Sequence, residues 1–295
     1  MKTLFFACCK RWLRYPYVRI CLLLMTAGGI LLAVLGAEVY RAKTASLDDA
    51  MLSVAFICEV MLTVPVITAL THQERTDGVI RSKLVCGYSR TAVLLSQLLT
   101  AFTFSAVCSL LLFAPLFVRA FDLLCRAMSA QTVSMLLVFL LALPVLSAVC
   151  TAVCLNTDGF SGIAVCIALL LGLFAADIGV RQILSRPQMI VSEFAQVDGT
   201  VQEQTQPNPE YVGGTKRKLL QIADRANPFS CWLTAKEYAD VLPVLSGRGT
   251  VPDADRTEYA EQIRHEITGA ECYLTGFAVL VSGIGLAVFR RRDLQ

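Results

Sequence analysis

Charged residues are scarce in this chain: Asp, Glu, Lys and Arg make up 17% of its 295 residues, whereas hydrophobic residues make up 56%. Soluble domains are usually about a quarter charged, so the composition excludes an ordinary soluble protein and indicates an integral membrane protein. The basic residues flank apolar segments and form no stripe interleaved with aromatic side chains. Nucleic-acid binding is therefore not expected.

The sequence also lacks the motifs of common catalytic and metal sites. The segment 212–216 (VGGTK) resembles a phosphate loop but does not have the GxxxxGK[ST] spacing. His265 and Glu266 lack the second histidine of HExxH, and no GxSxG sequence is present. With two histidines and no CxxC pair, a zinc site is improbable. We expect no catalytic, cofactor-binding or metal site in this chain.

The twelve cysteines do not form a disulfide pattern. Half of them lie in apolar runs, where cysteine behaves as a small hydrophobic residue. Cys8, Cys9 and Cys86 are predicted to be cytosolic and reduced. Only three cysteines are predicted to face outside, so one disulfide among them stays open as an alternative: Cys125, Cys231 and Cys272.

Six apolar runs are long enough to cross a membrane, because about 20 residues at roughly 1.5 Å each span the hydrocarbon core. We therefore predict an all-α integral membrane protein with six transmembrane helices. Proline inside three of these helices is expected to kink them without breaking the span. The predicted spans are 18–40, 51–71, 91–118, 132–155, 162–183 and 272–289.

The cations predict the orientation of these spans. The first 19 residues carry five Lys or Arg and no acid, the segment 72–90 is cation-rich, and the tail contains Arg290, Arg291 and Arg292. Positive segments favour the cytosolic side, so both termini and the segment 72–90 are predicted to be cytosolic.

Two regions outside the spans have their own predicted structure. Residues 1–17 are predicted to form an interfacial helix, although a simple cationic anchor remains an equal alternative. The proposed lipid-facing residues are Leu4, Phe5, Trp12, Leu13 and Tyr17.

The polar region 184–271 is predicted to be a mostly helical extracytoplasmic insertion between helices five and six. Its first part, 195–214, is rich in Gln, Gly and Pro and is interpreted as an irregular linker, followed by helices over 216–226, 230–242 and 253–271. The chain thus divides into 1–183, the insertion, and 272–295 with the sixth helix and a cytosolic tail.

Three acids lie within or at the edge of the predicted spans. Glu38 is near a span end, and Asp177 is one helical turn from Arg181, which predicts an internal ion pair. Glu59 lies roughly 12 Å into its helix and has no evident partner. We interpret it as a possible intramembrane polar site, either a protonated group bonding between helices or a residue lining a substrate cavity.

The segment from Gln73 to Thr91, QERTDGVIRSKLVCGYSRT, lies between the second and third spans. It resembles the permeases of the ABC-2 type, which read E-x-x-x-G-x-I-R-x-K-L-x-x-G-x-S-R here. The C-terminal residues 289–294 are also similar to the usual ending of that family. The residues that match the longer motif are Glu74, Gly78, Ile80, Arg81, Lys83, Leu84, Gly87, Ser89 and Arg90.

The resemblance implies a permease subunit of an ABC transporter in the plasma membrane, an exporter with an unknown substrate. It implies a second permease chain, identical or different, and a separate ATPase subunit that carries the ATP and docks on the segment 72–90. Glu74, Gly78, Arg81, Lys83, Gly87, Ser89 and Arg90 are the expected ATPase-coupling residues. Gly78 and Gly87 would permit sharp turns at either end of a short helix, and the cations could bind an acidic groove. Anchoring of the loop to anionic headgroups is the alternative.

Two other functions fit the same sequence. The first is a non-transporting membrane sensor that binds a ligand through the region 184–271. The second is an ion-coupled carrier centred on Glu59, which is weaker because the two halves show no evident repeat.

Overall fold

The computed structural model of this chain describes residues 2–42, 49–126, 128–157, 161–195, 201–245, 261 and 263–291. Helices dominate the described residues, and one two-stranded sheet lies between the eighth and ninth of them. The first seven helices are α1 (Lys2–Trp12), α2 (Pro16–Ala42), α3 (Asp49–Thr76), α4 (Val79–Val85), α5 (Arg90–Arg119), α6 (Phe121–Arg126) and α7 (Ala130–Asn156). The remaining elements are α8 (Ser161–Leu184), β1 (Met189–Ala195), β2 (Val201–Pro207), α9 (Gly214–Ala226), α10 (Pro228–Leu245) and α11 (Ala270–Arg291), with helical residues 263–267 before α11.

Within the described residues, six helices are long and apolar enough to cross a membrane, as predicted. The candidate spans are Pro16–Leu35, Leu52–Thr76, Arg90–Arg119, Ala130–Asn156, Ser161–Leu184 and Ile263–Arg291. Helices α3, α5 and α7 continue through Pro65, Pro115 and Pro144, which confirms that proline does not break these spans. This is the architecture of a multi-pass membrane protein.

Helix α7 lies at the centre of the bundle. It packs against α3, α5, α8, α10 and α11. In its most apolar stretch of 18 residues, 72% are buried inside the protein. The corresponding buried shares are 11% for α8 and 17% for the last span. The apolar residues exposed on helices such as α8 and α11 need an apolar surrounding, which a bilayer supplies.

Helix α3 makes polar contacts near both of its ends, and these contacts mark the two ends of the bundle. Near its start, Ser53 Oγ accepts a hydrogen bond from Lys236 Nζ of α10 at 3.2 Å. Near its end, Glu74 Oε1 accepts one from Trp12 Nε1 of α1 at 3.0 Å. The helical rise between Ser53 and Glu74 is about 32 Å at roughly 1.5 Å per residue, close to the roughly 30 Å of a hydrocarbon core. We call these two sides the α10 end and the α4 end.

The packing of α1 differs from the prediction. A helix does cover residues 2–12, but Leu4 and Trp12 are buried and α1 packs on α5, with Trp12 edge-on to Phe104 at 6.1 Å. The prediction that Leu4 and Trp12 face lipid is therefore wrong, whereas Phe6 and Leu13 are exposed. Lipid and a protein interior are both apolar, so hydrophobicity alone does not distinguish the two faces of this helix.

The segment interpreted as an irregular linker contains a strand. Strands β1 and β2 pair antiparallel, with Ala195 opposite Val201 and Met189 opposite Pro207. The Gln-rich composition led to the linker interpretation, although Asp198-Gly199 in the sequence between these strands is a hairpin signal. The insertion is therefore not purely helical. Its predicted helices over 216–226 and 230–242 are confirmed by α9 and α10. Of the predicted helix 253–271, residues 263–267 are helical, whereas 253–260 and 262 lie outside the described residues.

Two further side-chain predictions have an outcome in the structure. The predicted pair of Asp177 and Arg181 is confirmed, with Arg181 Nε 3.1 Å from Asp177 Oδ1. All twelve cysteines are free thiols, so Cys125, Cys231 and Cys272 form no disulfide. Cys231 is buried at the α10 end, where its Sγ donates to the backbone oxygen of Arg225 at 3.0 Å. Burial and the nearby Asp224 raise the pKa of the Cys231 thiol to about 12.

Candidate functional site at the α4 end

A short helix stands between the second and third spans, where the sequence motif lies. Helix α4 has seven residues, Val79–Val85. Gly78 and Gly87 flank it with φ of 69° and 88°, a left-handed conformation that side chains with a Cβ rarely adopt. The prediction that these glycines permit sharp turns at both ends of a short helix is confirmed. Ser89 then caps α5, because its Oγ accepts a hydrogen bond from the backbone nitrogen of Ala92 at 3.2 Å.

Glu74 joins three elements at the start of this segment. Its side chain is completely buried at the end of α3. Oε1 accepts from Trp12 Nε1 of α1, while Oε2 accepts from Lys83 Nζ of α4 at 2.8 Å and from Gln97 Nε2 of α5. A buried carboxylate with several donors is strongly oriented, because the loss of any donor would leave part of a buried charge without a hydrogen bond. Glu74 therefore fixes α4 against the ends of the neighbouring helices.

Two cations of the motif, Arg81 and Lys83, face opposite ways. Residues two apart on a helix are separated by about 200° around its axis. Lys83 points inward, where its Nζ contacts Glu74 and lies 3.2 Å from Cys8 Sγ, and only 13% of its side chain is exposed. Arg81 lies on the exposed side of α4. Lys83 therefore makes contacts inside the molecule, whereas Arg81 is exposed at its surface.

Arg90 connects the motif to the end of the chain. Its Nη1 donates to the backbone oxygen of Arg290 at 3.1 Å, and Arg290 Nη2 donates to Thr91 Oγ1 at 2.8 Å. Phe289 is completely buried in one cluster with Leu4 of α1 and residues of α4, α5 and α7. The two stretches that resemble the ABC-2 permeases are therefore in contact, which sequence reasoning did not predict.

The end of α3 is also fastened to α7 and α1. Arg75 Nη1 donates to the backbone oxygens of Thr157, Leu155 and Cys154 at the end of α7. On the other side, Arg11 of α1 forms an ion pair with Asp77 at 3.3 Å. These contacts make the α4 end one connected unit.

The exposed side of α4 and of the residues after it carries both polar and apolar side chains. We call its exposed residues the α4 face: Arg81, Ser82, Val85, Cys86 and Tyr88. Val85 is 82% exposed. Arginine and tyrosine are enriched in protein interfaces, and Arg81 and Tyr88 are both exposed on this face. The arginine can supply charge-assisted bonds, and the tyrosine ring and Val85 can supply apolar contact area.

Glu59 lies in α3 away from this end, in the interior of the bundle. It is completely buried, and among the described residues neither of its carboxylate oxygens has a hydrogen-bond partner. Thr63 Oγ1, one turn further along α3, is likewise buried and unpaired within the described part of the chain. Both interpretations of Glu59 stay predictions.

Sequence reasoning missed Trp12 and Gln97 as partners of Glu74, which also bonds Lys83. Gln97 is a lone amide in an otherwise apolar stretch of α5, which is a signal for an interhelical hydrogen bond. No comparable signal marks Trp12, because it is 62 residues from Glu74 in the chain.

Comparison with known proteins finds no matching family model, no matching curated protein and no matching solved structure.

Proposed function

We propose that this chain is the permease subunit of an ATP-driven ABC transporter of the plasma membrane. In this proposal the α4 end and both chain termini are cytosolic, and the region 184–271 is outside. The observation that carries it is the two-sided construction of α4: an exposed face with Arg81 and Val85, and an inner side fastened to the spans. Export is the direction expected from the resemblance, and the proposal leaves the substrate open.

The positive-inside rule supports this orientation. At the α4 end the short segments carry exposed or half-buried cations and few acids, in α1, in α4, at the start of α5 and at the end of α11. Such clusters favour the cytosolic side of a membrane. The cations of the α10 end lie mostly in the long region 184–271, among many acids.

The contacts of α4 provide a route for force. A partner that pushes on the α4 face moves Lys83, which is bonded to Glu74 at the end of α3. Glu74 in turn holds Trp12 of α1 and Gln97 of α5. Because buried ion pairs of this kind are costly to break, the helix ends move together rather than separately.

The energy source is assigned to another chain. The sequence has no GxxxxGK[ST] phosphate loop, so a separate ABC ATPase subunit would bind and hydrolyse ATP. A second permease chain, identical or different, is the further expected partner. Helix α2 exposes an apolar face that such a chain or lipid would cover, with Leu23, Ile30, Leu31 and Val34.

The test is purification of the tagged full-length protein from its native membrane in mild detergent, with mass spectrometry of the proteins that accompany it. We expect a stoichiometric P-loop ATPase, lost in Arg81→Glu. The matched control is Lys10→Glu, an exposed cation on α1 at the same end, which should retain the ATPase. Repeated preparations of folded protein without any ATPase would contradict the proposal.

A membrane sensor or binding protein is the second candidate, because the α10 end contains a cavity of about 420 Å³ lined by charged residues. A sensor has no need of an ATPase. The purification above therefore distinguishes the two functions.

A further inference from the structure

The cavity at the α10 end is built from four elements. It lies between the end of α8, one side of α9, α10, and the start of α11 with the helical residues before it. Its volume of about 420 Å³ falls within the usual range for small-ligand sites. Its charged lining has equal numbers of each sign: Arg181, Arg217, Arg225, Asp224, Glu237 and Glu266.

Acids dominate around Arg181. Its Nε lies 3.1 Å from Asp177 Oδ1 and 3.9 Å from Asp224 Oδ1, and its Nη1 lies 2.9 Å from Glu237 Oε1. Its Nη2 donates to Ser230 and Thr234 of α10. One guanidinium therefore holds three carboxylates together, which leaves this part of the cavity with excess negative charge. A cationic group of a ligand fits such a place.

The opposite sign lies on α9. Arg217, Gln221 and Arg225 follow at i, i+4 and i+8, so they form one stripe about 12 Å long that lines the cavity. Arg217 Nη2 donates to the backbone oxygen of Leu184 at 2.8 Å, and the guanidinium lies over the Tyr211 ring at 4.9 Å. Its buried Nη1 has no hydrogen-bond partner among the described residues. A guanidinium with an unused donor suits a phosphate, which accepts such bonds in pairs.

The far side of α9 is apolar and exposed. Leu219 and Ile222 lie on it, each with more than half of its side chain accessible. A helix at the surface of a soluble protein has the reverse arrangement, with its apolar side buried. Helix α9 therefore fits the interface of a bilayer, where apolar side chains face the acyl region and the polar side faces away.

Two exposed apolar stripes lead to the cavity. On α11, Tyr273 lines the cavity and shares one side of the helix with the exposed Leu280 and Ile284, since 7 and 11 residues are close to whole numbers of turns at about 3.6 residues each. On α8, the exposed Phe174 and Ile178 lie 11 and 7 residues before Ser185, which lines the cavity directly after the helix ends. These spacings are close to whole numbers of turns, so the three residues lie on one side. A polar cavity at the ends of two apolar stripes has the shape and chemistry of an amphiphile.

We propose that this cavity binds the headgroup of a phospholipid that carries both a phosphate and an ammonium group, with its acyl chains along the stripes of α8 and α11. The phosphate lies against Arg217 and Arg225, and the ammonium group lies against Glu237 and Glu266. This site does not depend on the proposed function, because a transporter and a sensor could each hold a lipid there.

The experiment is native mass spectrometry of the purified, delipidated full-length protein with added lipid. The probes are phosphatidylethanolamine, phosphatidylglycerol, which lacks the ammonium group, and glycerophosphoethanolamine, which lacks the acyl chains. We expect phosphatidylethanolamine to bind at least about tenfold more tightly than either of the others, a difference of about 1.4 kcal/mol.

The variant pair assigns that binding to the cavity. Arg217→Gln with Arg225→Gln should weaken phosphatidylethanolamine binding at least about tenfold. The matched control, Lys216→Gln with Lys218→Gln, removes two exposed cations of the same helix that do not line the cavity, and should bind as the wild type does. Glu266→Gln should reduce the preference for phosphatidylethanolamine over phosphatidylglycerol.

Three results would overturn the proposal. Equal binding of both lipids by the wild type would exclude an ammonium subsite, and this comparison needs no variant. Equal binding of glycerophosphoethanolamine would make the ligand a soluble headgroup rather than a lipid. An equal loss in the arginine pair and the lysine pair would place the lipid on the outer surface of α9.

Discussion

The buried carboxylate of Glu74 holds α1, α4 and α5 against the end of α3. It has donors from α1, α4 and α5, and Lys83 supplies the only one of the described donors that carries a formal charge. Removing that charge would leave a buried carboxylate without its counter-ion. The cost of breaking a buried pair in this way is usually several kcal/mol, more than that of losing a neutral hydrogen bond.

We therefore expect Lys83→Met to lower the free energy of unfolding by about 3 kcal/mol. The measurement is thermal unfolding of the purified protein in detergent. Adding Glu74→Gln to Lys83→Met should restore part of the loss, because the unpaired charge is then gone. Arg81→Met, an exposed cation of the same helix, is the control and should change stability by less than about 0.5 kcal/mol. Equal effects of the two single variants would contradict the internal role of Lys83.

Glu237 at the α10 end gives a prediction about pH. Burial raises the pKa of its carboxyl above the ordinary value of 4.5, against the lowering effect of Arg181, with Glu266 and Asp177 raising it further and Lys236 lowering it. The folded state thus binds this proton more tightly than the unfolded state does. The stabilisation is complete below about pH 4.5 and is lost as the pH rises through the raised value.

Glu237→Gln removes this titration, so its melting temperature should rise relative to that of the wild type as the pH increases from about 4.5 to 7. The measurement is the melting temperature of Glu237→Gln and of the wild type at the same series of pH values across that range. Glu210→Gln, at an exposed carboxyl of the same region, reports the effect of losing a surface charge. A constant difference between Glu237→Gln and the wild type would show that burial of Glu237 has no thermodynamic consequence.

At the scale of elements, α2 and α5 approach each other at one glycine. A Cβ at Gly29 would lie 2.7 Å from the backbone oxygens of Leu111 and Leu112, closer than atoms in contact allow. At the neighbouring Gly28 a Cβ would meet only Leu112 Cδ1, at an ordinary 3.6 Å. Small residues permit such close helix contacts in membranes.

Gly29→Ala should therefore separate α2 from α5 and destabilise the protein by about 1–3 kcal/mol. Gly28→Ala is the matched control, and it should be neutral or slightly stabilising because alanine favours the helix. Thermal unfolding of both variants decides the matter. If Gly28→Ala proved the more harmful of the two, the packing of α2 on α5 described above would be wrong.

The elements also show which structural features a sequence can predict. Long apolar runs predict the six candidate spans, and the i, i+4 spacing predicts the pair of Asp177 and Arg181, because both are local properties. The strand β2 is hidden by a Gln-rich composition that is typical of loops. The buried side of α1 cannot be predicted from hydrophobicity, since lipid and protein partners are equally apolar.

The candidate site divides in the same way. The turns at Gly78 and Gly87 follow from residue type and local spacing. The partners of Glu74 do not, because Trp12 and Gln97 reach it only after three helices have packed. The inward direction of Lys83 follows from that packing as well.

At the scale of the whole molecule, exposed native cysteines mark the two ends of the bundle. Cys86 is exposed at the α4 end, and Cys125 and Cys272 are exposed towards the α10 end. The orientation proposed above predicts opposite access for these two groups from the outside of a cell.

A membrane-impermeant maleimide applied to intact cells should label Cys125 and Cys272 but not Cys86. Permeabilisation should then allow Cys86 to react, with the sites identified by mass spectrometry of the peptides. Buried Cys231, whose thiol pKa is raised to about 12, should stay unlabelled in the folded protein in both conditions. Labelling of Cys86 in intact cells would reverse the proposed orientation.

The most direct test of the account is photo-crosslinking in the native membrane from a benzophenone amino acid placed at Val85, at the centre of the α4 face. The matched position is Leu219, an exposed aliphatic residue of α9 at the opposite end. We predict that position 85 crosslinks to a P-loop ATPase, that Arg81→Glu abolishes this product, and that position 219 yields no ATPase. Crosslinking of position 85 to lipid alone would contradict the docking role of the α4 face and with it the proposed permease function.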